Sequence, residues 1–264
     1  MTEPLLVIDG LHVAYHRAAM ALHGVSLRVM PQTIVALVGN NGAGKTTTLR
    51  AISGFIGLDD ARVTAGHIRF AGEPIENNPP HVNTGRGIVL VPERDKVFPN
   101  LTVAENLTVA ASKRADAAER RRLEALVFQF FPALVPLRSR IAGLLSGGER
   151  QMLAFGSAIV CKPDLLLVDE LSLGLAPVVV EDLARRVSSI RQELGITVLL
   201  VEQNVGVALA IADYGYVLEN GRVALEGPAA ELRGRREIQQ SYLGQASGEE
   251  RRSYRALRQE HPHG

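Results

Sequence analysis

Four short runs of consecutive apolar residues divide the chain, at 33–38 (TIVALV), 87–91 (GIVLV), 165–168 (LLLV) and 197–201 (TVLLV). Each run is rich in Val, Ile and Leu and is bounded by polar residues, Gly or Pro. Such runs are typical of strands that are buried on both faces of a parallel sheet. Helical patterns lie between them, at 45–53, 149–161 and 178–194. Strands that alternate with helices predict an α/β fold with right-handed crossovers.

Two parts of the chain depart from this alternation. Residues 5–30 and 63–76 show shorter alternating apolar runs, which are typical of antiparallel strands. Residues 102–140 are helical in character and place apolar side chains at helical spacing, at Leu123, Leu126, Val127, Phe130 and Phe131. We therefore interpret residues 95–160 as a helical subdomain inserted into the α/β core. The charged residues 241–264 predict a solvated tail or a loose helix, with partner binding as the alternative.

Composition narrows the function classes. The chain has 264 residues and a net charge of +1, so no basic field indicates nucleic-acid binding. The single cysteine, Cys161, excludes an internal disulfide framework and is typical of a reducing compartment. The acidic N-terminus does not resemble a signal peptide, and no run of 18 apolar residues occurs. We therefore expect a cytoplasmic protein that reaches a membrane only through a partner.

The first chemical motif, GNNGAGKTT, follows the run 33–38 and precedes a helical stretch. Its pattern, Gly39-x4-Gly44-Lys45-Thr46, predicts a P-loop, although an ordinary strand-to-helix turn is the alternative. In a P-loop, backbone N–H groups and a helix N-terminus surround phosphate oxygens. We expect Lys45 to reach the β- and γ-phosphates and the Thr46 hydroxyl to bind Mg²⁺. The predicted nucleotide-binding residues are Gly39, Asn40, Asn41, Gly42, Ala43, Gly44, Lys45, Thr46 and Thr47.

A P-loop needs a second anchor for the metal ion at the end of another buried strand. The run LLLV is followed at once by Asp169 and Glu170. We expect Asp169 to hold Mg²⁺ through water, and Glu170 to polarise an attacking water as a general base. A solvated Asp-Glu pair in a loop is the alternative interpretation.

A second glycine-rich turn, LSGGERQ at residues 145–151, also opens a helical pattern, but it contains no lysine. The hydroxyl of Ser146 and the backbone N–H groups of Gly147 and Gly148 suit a phosphate at a helix N-terminus. Without a lysine the turn does not suit a complete site of its own. We expect it to close over the γ-phosphate of ATP that is held by another subunit, so that two chains arranged head to tail share two sites.

The P-loop, LSGGERQ and LLLVDE together resemble the ATP-binding subunits of ABC transporters in order and spacing, over residues 5–240. The resemblance implies a P-loop NTPase with a RecA-like core, an antiparallel β subdomain and an inserted helical subdomain that carries LSGGERQ. It also implies Mg-ATP as the cofactor, a second ATPase subunit and membrane permease subunits as partners, and a peripheral position on the inner face of the membrane.

The resemblance extends to single positions. Tyr15 lies where the family places an aromatic residue that stacks on adenine, with an ordinary core or surface role as the alternative. Glu93 lies in LVPERDKVFPNLTVAENL, which resembles the loop that senses the γ-phosphate and faces the permease, at a position where most members have Gln. We expect Glu93 to act through the water shell of Mg²⁺ and through the permease groove. Leu171 replaces the usual Pro of the loop that crosses the dimer interface. Gln203 stands where the family has a switch histidine, and a glutamine donates a hydrogen bond but carries no positive charge. We therefore predict a catalytic role for Gln203 beside Lys45 and Glu170.

The motifs VPE, SLGLAP and VEQN together resemble one ATPase of the paired branched-chain, or hydrophobic, amino acid uptake systems. This subfamily implies an importer that is served by a periplasmic binding protein. Related urea and amide importers share much of the pattern, and an exporter would share every nucleotide motif. A soluble ABC-type ATPase acting on ribosomes or DNA usually has two units or a coiled-coil insertion, which this chain lacks. Whether the working pair is a homodimer or a heterodimer stays open.

Overall fold

The computed structural model describes residues 3–16, 19–94, 96–111, 114–235 and 238. Its strands, in chain order, are β1 (Leu6–Tyr15), β2 (Ala19–Val29), β3 (Ile34–Val38), β4 (Ala61–Phe70), β5 (Glu73–Pro74), β6 (Ile88–Val91), β7 (Leu165–Asp169), β8 (Thr197–Glu202), β9 (Tyr214–Glu219) and β10 (Arg222–Pro228). Its helices are α1 (Lys45–Ser53), α2 (Pro80–Gly85), α3 (Val103–Ala110), α4 (Ala117–Phe130), α5 (Gly147–Val160), α6 (Pro177–Leu194), α7 (Val205–Ile211) and α8 (Ala229–Gly234). No helix of this described part is both long enough and apolar enough to cross a membrane.

A six-stranded sheet has the order β10-β9-β3-β8-β7-β6. The strands β9, β3, β8, β7 and β6 pair in parallel, and β10 pairs antiparallel with β9. The four strands predicted from the apolar runs are β3, β6, β7 and β8, so the predicted parallel α/β sheet is confirmed. Along β3, the side chains alternate between two separate hydrophobic clusters, one on each face of the sheet. Burial on both faces explains why this strand is apolar at every position.

A second, antiparallel sheet has the order β2-β1-β4-β5. It is formed by the two segments in which the sequence predicted antiparallel strands. Its buried residues share a cluster with α1 and with one face of the six-stranded sheet, including Leu37, Leu167 and Leu199. This packing places the end of β1 beside the start of α1.

The helical segment between β6 and β7 contains α3, α4 and α5. Capping boxes begin two of these helices, because Thr102 pairs with Glu105 before α3, and Ser146 pairs with Glu149 before α5. Most of the apolar side chains predicted on α4 are buried, and Phe128 is buried too, with the guanidinium carbon of Arg138 lying 3.8 Å from the centre of its ring. The subdomain limits at 95 and 160 stay a prediction, and the charged tail at 241–264 lies outside the described residues.

Candidate functional site

The predicted phosphate-binding, metal-binding and catalytic residues of the P-loop, Glu93, Asp169, Glu170 and Gln203 lie at or after the carboxyl ends of four neighbouring parallel strands. Val38 at the end of β3 is level with Glu202 of β8, and Val201 of β8 is level with Asp169 of β7. Val91 at the end of β6 is in turn level with Val168. The loops that leave these strands therefore emerge at one edge of the sheet, which is where open α/β sheets bind ligands.

The loop between β3 and α1 has the backbone of a phosphate cradle. Gly42 and Gly44 have φ angles of 79° and 105°, in a region of backbone conformation that residues other than glycine rarely adopt. A Cβ at Gly44 would also lie 2.5 Å from Cδ2 of Leu22. Gly44 is the N-cap of α1 and provides no side-chain cap, so the helix N-terminus faces this loop uncapped.

The side chain of Lys45, the first residue of α1, points back into the preceding loop. Its ammonium is buried and donates hydrogen bonds to the carbonyl oxygens of Gly39, at 2.9 Å, and Asn40, at 3.1 Å. Burial lowers the pKa of Lys45, while the carboxylates of Glu170, Asp169 and Glu202 act in the opposite direction. The ammonium is therefore held at the turn by two loop carbonyls, where an anion bound to the backbone N–H groups would meet it.

Thr46 and Asp169 meet across the site. The hydroxyl of Thr46 donates to Oδ1 of Asp169 at 3.2 Å. The pKa of Asp169 is raised to about 6. Burial is the largest cause and the carboxylates of Glu170 and Glu93 act in the same direction, while the Thr46 hydrogen bond and the charge of Arg50 lower the pKa. A buried carboxyl group that lacks sufficient cationic compensation suits a divalent cation.

No group of three or more His, Cys, Asp or Glu side chains in the described ranges forms a protein-only metal cage. Mg²⁺ keeps several waters and binds through one or two protein groups plus substrate phosphates, and the Thr46 hydroxyl and the Asp169 carboxylate are two such groups side by side. The residues present therefore fit Mg²⁺ bound together with a nucleotide.

Glu170 has an unusual backbone conformation. Its φ angle of 52° lies in the left-handed region, which is uncommon for residues other than glycine. Its backbone N–H donates to the carbonyl oxygen of Val201 on the neighbouring strand at 3.0 Å. Strained conformations of this kind concentrate at functional sites, where they aim a side chain. The strain gives Glu170, directly after Asp169, a physical reason to be a functional residue.

Glu93 follows β6, beside Asp169. Its Oε1 accepts from Nε of the exposed Arg94 at 3.0 Å. Both residues line a cleft of about 540 Å³ that also contains Thr46 and Asp169 and is bordered by the exposed Phe55 and Leu58. The cleft therefore connects the predicted metal-binding pair with an apolar rim at the surface.

Sequence reasoning missed a connection between this loop and α5. Lys96 Nζ donates to Oε1 of Gln151, a side chain that is almost fully buried. Burial lowers the pKa of Lys96. The segment that follows Glu93 is thus joined directly to the helix that begins at LSGGERQ.

Tyr15, at the end of β1, reaches the P-loop helix. Its hydroxyl lies 3.2 Å from Oγ1 of Thr47, and either group can be the donor. This contact places the tyrosine beside the loop, as a role in nucleotide binding requires. Stacking on adenine stays a prediction.

LSGGERQ opens α5 as predicted, with Ser146 as the N-cap. The Ser146 hydroxyl accepts from the backbone N–H of Glu149 at 3.3 Å and is also hydrogen-bonded to the Glu149 side chain. Gly147 and Gly148 form the first turn, whose N–H groups have no partner within the helix. Gly147 and Arg150 also line a cleft of about 410 Å³ together with Arg94 and Lys96. The helix start therefore presents donors and positive charge to an anion.

Gln203 is exposed directly after β8, and the residue before it is fully buried. Sequence reasoning did not identify that residue, Glu202, as part of the site. Its carboxylate accepts from the backbone N–H and the hydroxyl of Ser172, both at 2.7 Å, and from the backbone N–H of Asn204 at 3.3 Å. Burial raises the pKa of Glu202. No sequence pattern pairs it with Ser172, because the two residues lie thirty positions apart.

Comparison with known proteins gives a consistent picture. Residues 22–172, more than half of the chain, match the ABC transporter family. The high-affinity branched-chain amino acid transport ATP-binding protein BraG of Pseudomonas aeruginosa is 40% identical over 230 residues, which cover 87% of this chain and 96% of BraG. The probable branched-chain amino acid transport ATP-binding protein LivF of Archaeoglobus fulgidus is 43% identical over 211 residues, which cover 80% of this chain and 87% of LivF.

Pseudomonas aeruginosa also has BraF, which carries the same transport name as BraG and is 29% identical over 261 residues, covering 93% of this chain and all of BraF. Among solved structures, the ADP conformation of MJ1267, an ATP-binding cassette of an ABC transporter, matches with a TM-score of 0.77 and 26% identity. The match covers 92% of this chain and all of MJ1267. The chain therefore belongs to the ABC transporter family, in which it is an ATP-hydrolysing subunit.

Proposed function

We propose that this chain is the ATPase motor of an importer for branched-chain or other hydrophobic amino acids, and that it hydrolyses Mg-ATP at the edge formed by β3, β8, β7 and β6. The observation that carries the site assignment is the meeting of Thr46 and Asp169, whose side chains are 3.2 Å apart beside the buried Lys45. Enzymes that transfer phosphoryl groups use a hydroxyl, a buried carboxylate and an ammonium group at a glycine-rich turn.

Each residue then has a distinct task. The backbone of residues 39–47 cradles the phosphates, and Lys45 neutralises charge on the β- and γ-phosphates. Thr46 and Asp169, with Glu93 acting through water, would hold Mg²⁺, which supplies charge stabilisation at the phosphates. Glu170 accepts a proton from the attacking water, and Gln203 donates a hydrogen bond to the γ-phosphate. Tyr15 packs against the adenine ring.

A second ATPase subunit completes the site. The first turn of α5 presents the N–H groups of Gly147 and Gly148 as donors, beside the Ser146 hydroxyl that caps the helix, and LSGGERQ contains no lysine. These donors suit a γ-phosphate that is already held by the Lys45 of another chain. Pseudomonas aeruginosa has both BraG and BraF, and this chain is closer to BraG, 40% against 29% identical. This difference favours a heterodimer with a BraF-like subunit.

Permease subunits are the membrane partners, and the cleft beside Glu93 is the surface that suits them. It combines an apolar rim, in which Leu58 is 73% exposed and Phe55 is 37% exposed, with a direct path to Thr46 and Asp169. A permease helix in this cleft would contact the segment that responds to Mg-ATP. The chain then lies peripherally on the cytoplasmic face, and a periplasmic binding protein meets the complex only from the other side.

The substrate assignment rests on BraG and LivF, both named as branched-chain amino acid transport proteins. A urea or amide importer and an exporter would use the same nucleotide site. The decisive measurement is uptake of labelled leucine, isoleucine and valine by a host strain that lacks this chain, with labelled urea as the comparison. We expect loss of amino acid uptake alone, restored by the wild-type gene and not by Lys45→Ala. Loss of urea uptake alone, or unchanged amino acid uptake, would contradict the substrate assignment.

The ATPase site itself has a separate test on purified protein. Lys45→Ala should abolish hydrolysis and greatly weaken ATP binding, because the charge at the β- and γ-phosphates is lost. Lys162→Ala removes a half-exposed lysine far along the sequence and is the matched control. Turnover near that of the wild type in Lys45→Ala would contradict the P-loop assignment.

A further inference from the structure

We propose that Glu202 is a positioning residue that locks the loop after Glu170 to the loop that carries Gln203, so that contacts made by one loop set the position of the other. We call residues 171–177 (LSLGLAP) the interface loop and residues 203–204 the switch loop. This inference rests on the proposed function, since it assumes that Glu170 and Gln203 act on the same nucleotide.

The connection is short and fully buried on the Glu202 side. Ser172 lies two residues after Glu170, and Glu202 lies one residue before Gln203. Oε1 of Glu202 accepts from the Ser172 N–H at 2.7 Å, and Oε2 accepts from the Ser172 hydroxyl at 2.7 Å and from the Asn204 N–H at 3.3 Å. One carboxylate therefore holds the first turn of the interface loop and the backbone of the switch loop together.

Neighbouring contacts stiffen both ends of this link. Leu171 is fully buried, and the N–H of Glu170 is bonded to Val201. The side chain of Asn204 accepts from the N–H of Val207 and so caps α7. A displacement of Ser172 is thus passed to the residues on both sides of Gln203 instead of being absorbed by a flexible side chain.

The chemistry of the link requires a carboxylate. Each oxygen of Glu202 accepts from a backbone N–H, and a backbone N–H cannot reverse its direction. An amide in the same place would always point its NH₂ group at one of these donors. Leaving a fully buried acceptor without its donors costs free energy, because the acceptor stays desolvated. Ser172 therefore stays bound to Glu202 unless another donor takes its place. The two loops therefore move as one unit.

This unit explains how a second subunit influences hydrolysis. The interface loop is the segment that crosses to the partner in the proposed head-to-tail dimer. When the partner engages Leu173 or Gly174, which are exposed, the constraint reaches Gln203 through Ser172 and Glu202. The predicted consequence is that hydrolysis responds cooperatively to ATP only while this link is intact.

Two substitutions test the link from its two ends. Ser172→Ala removes the hydroxyl donor, and Glu202→Gln keeps the shape of the side chain but turns one acceptor into a donor. Ser172→Thr restores the hydroxyl, and Ser189→Ala, on the exposed side of α6, removes another serine hydroxyl as the matched control. The measurements are ATP affinity of the isolated subunit, and kcat and the Hill coefficient for ATP in the complete transporter. Melting temperatures of all variants show whether they fold.

We expect Ser172→Ala and Glu202→Gln to lower kcat about ten- to a hundredfold, as for a lost hydrogen bond to a charged group. Both should reduce the Hill coefficient, and both should leave the ATP affinity of the isolated subunit unchanged. Ser172→Thr should recover kcat, and Ser189→Ala should behave as the wild type.

Wild-type kcat and cooperativity in folded Ser172→Ala or Glu202→Gln would overturn the inference. So would a Ser172→Thr variant that is as defective as Ser172→Ala, since the loss would then arise from packing. Failure of the proposed function is distinguishable, because it would appear as a Glu170→Gln variant that hydrolyses ATP normally, whatever the link does.

Discussion

Thr46 and Asp169 lie 123 positions apart in the chain, and their side chains meet at 3.2 Å between Oγ1 and Oδ1. The contact joins the first turn of α1 to the end of β7. It holds a carboxyl group that is 4% exposed and whose pKa the carboxylates of Glu170 and Glu93 help to raise. Burial and the two neighbouring carboxylates disfavour the charged form of Asp169, and a bound cation would offset this cost.

The first prediction follows from the pKa of Asp169, which burial raises to about 6. The folded state binds this proton more tightly than the unfolded state, so the free energy of unfolding falls as the pH rises from about 4 to about 6. Above that window the cost is fully present. Asp169→Asn should therefore stabilise the metal-free protein at pH 7 by about 1–3 kcal/mol and should do less at pH 4. Thermal unfolding in EDTA at the two pH values measures this.

The same variant tests the metal site. ATP with Mg²⁺ should raise the melting temperature of the wild type more than ATP with EDTA, because a ligand that binds the folded state stabilises it. Asp169→Asn should lose most of this Mg²⁺-dependent increment and should lose hydrolysis. An Asp169→Asn variant that retains the full increment would place the metal ion elsewhere.

The parallel strands β3, β6, β7 and β8 could be predicted from the sequence because burial on both faces leaves a continuous apolar run. The α1 helix could be predicted because it follows the P-loop pattern. The strands β9 and β10 were missed, since Tyr, Gly and Glu interrupt their pattern. A signal for them was present nevertheless. Asn220 and Gly221, with φ angles of 48° and 72°, form the two-residue turn between Glu219 and Arg222 that an Asn-Gly pair favours.

For the site, sequence spacing identified the residues that precede or follow strand ends, such as Lys45 and Asp169. It could not identify partners from distant segments. The sequence motif identified Gln203 but not the adjacent Glu202. The contact of Glu202 with Ser172 depends on how β7 and β8 pair. The left-handed conformation of Glu170 is likewise a property of the folded backbone, because nothing local to the sequence requires it.

The second prediction separates ATP binding from chemistry at Glu170. Glu170→Gln keeps the size and hydrogen-bonding reach of the side chain but removes the base. ATP should still bind, turnover should fall roughly 10²–10⁴-fold, and an ATP-bound dimer should accumulate. Nucleotide binding, steady-state hydrolysis and size-exclusion chromatography with ATP measure the three effects. If the variant hydrolyses ATP at the wild-type rate, the base is another residue.

The third prediction concerns the helix start at Gly148. A Cβ there would lie 3.3 Å from Cγ1 of Val179, so Gly148→Ala needs only a small shift of that side chain. Gly148→Phe adds a ring that should occupy the space in front of the helix N-terminus, where it would obstruct a phosphate held by a second subunit. We expect the isolated Gly148→Phe subunit to bind ATP normally and the assembled complex to lose hydrolysis, with Gly148→Ala much less affected. Loss of ATP binding by the isolated subunit would contradict the head-to-tail arrangement.

The fourth prediction uses Cys161 as a probe of the contact between α3 and α5. Its thiol donates to the carbonyl oxygen of Ala110 at 3.0 Å, and burial raises the pKa of the thiol to about 11. Roughly a thousandth of the thiol is ionised at pH 8, and the thiolate is the reactive form. A maleimide should therefore label the native protein far more slowly than the protein in denaturant. Equal rates in the two conditions would show that this contact is open in solution.

The last prediction concerns Gln203, which is exposed at the end of β8 between the P-loop and Asp169. A glutamine donates a hydrogen bond to the γ-phosphate but does not titrate, so hydrolysis should show no step near pH 6.5 that maps to this position. Gln203→His should introduce such a step, because an imidazole changes charge in that range.

Gln203→Ala should lower kcat in the transporter complex by an amount equivalent to about 1.5–3 kcal/mol, the typical loss for one hydrogen bond to a charged group. Since the side chain is exposed, the melting temperature should change little, so that a loss of kcat is not a loss of folded protein. A fully active Gln203→Ala complex would show that residue 203 is not a switch in this chain, and the constraint passed on by Glu202 would then have to act on Glu170 alone.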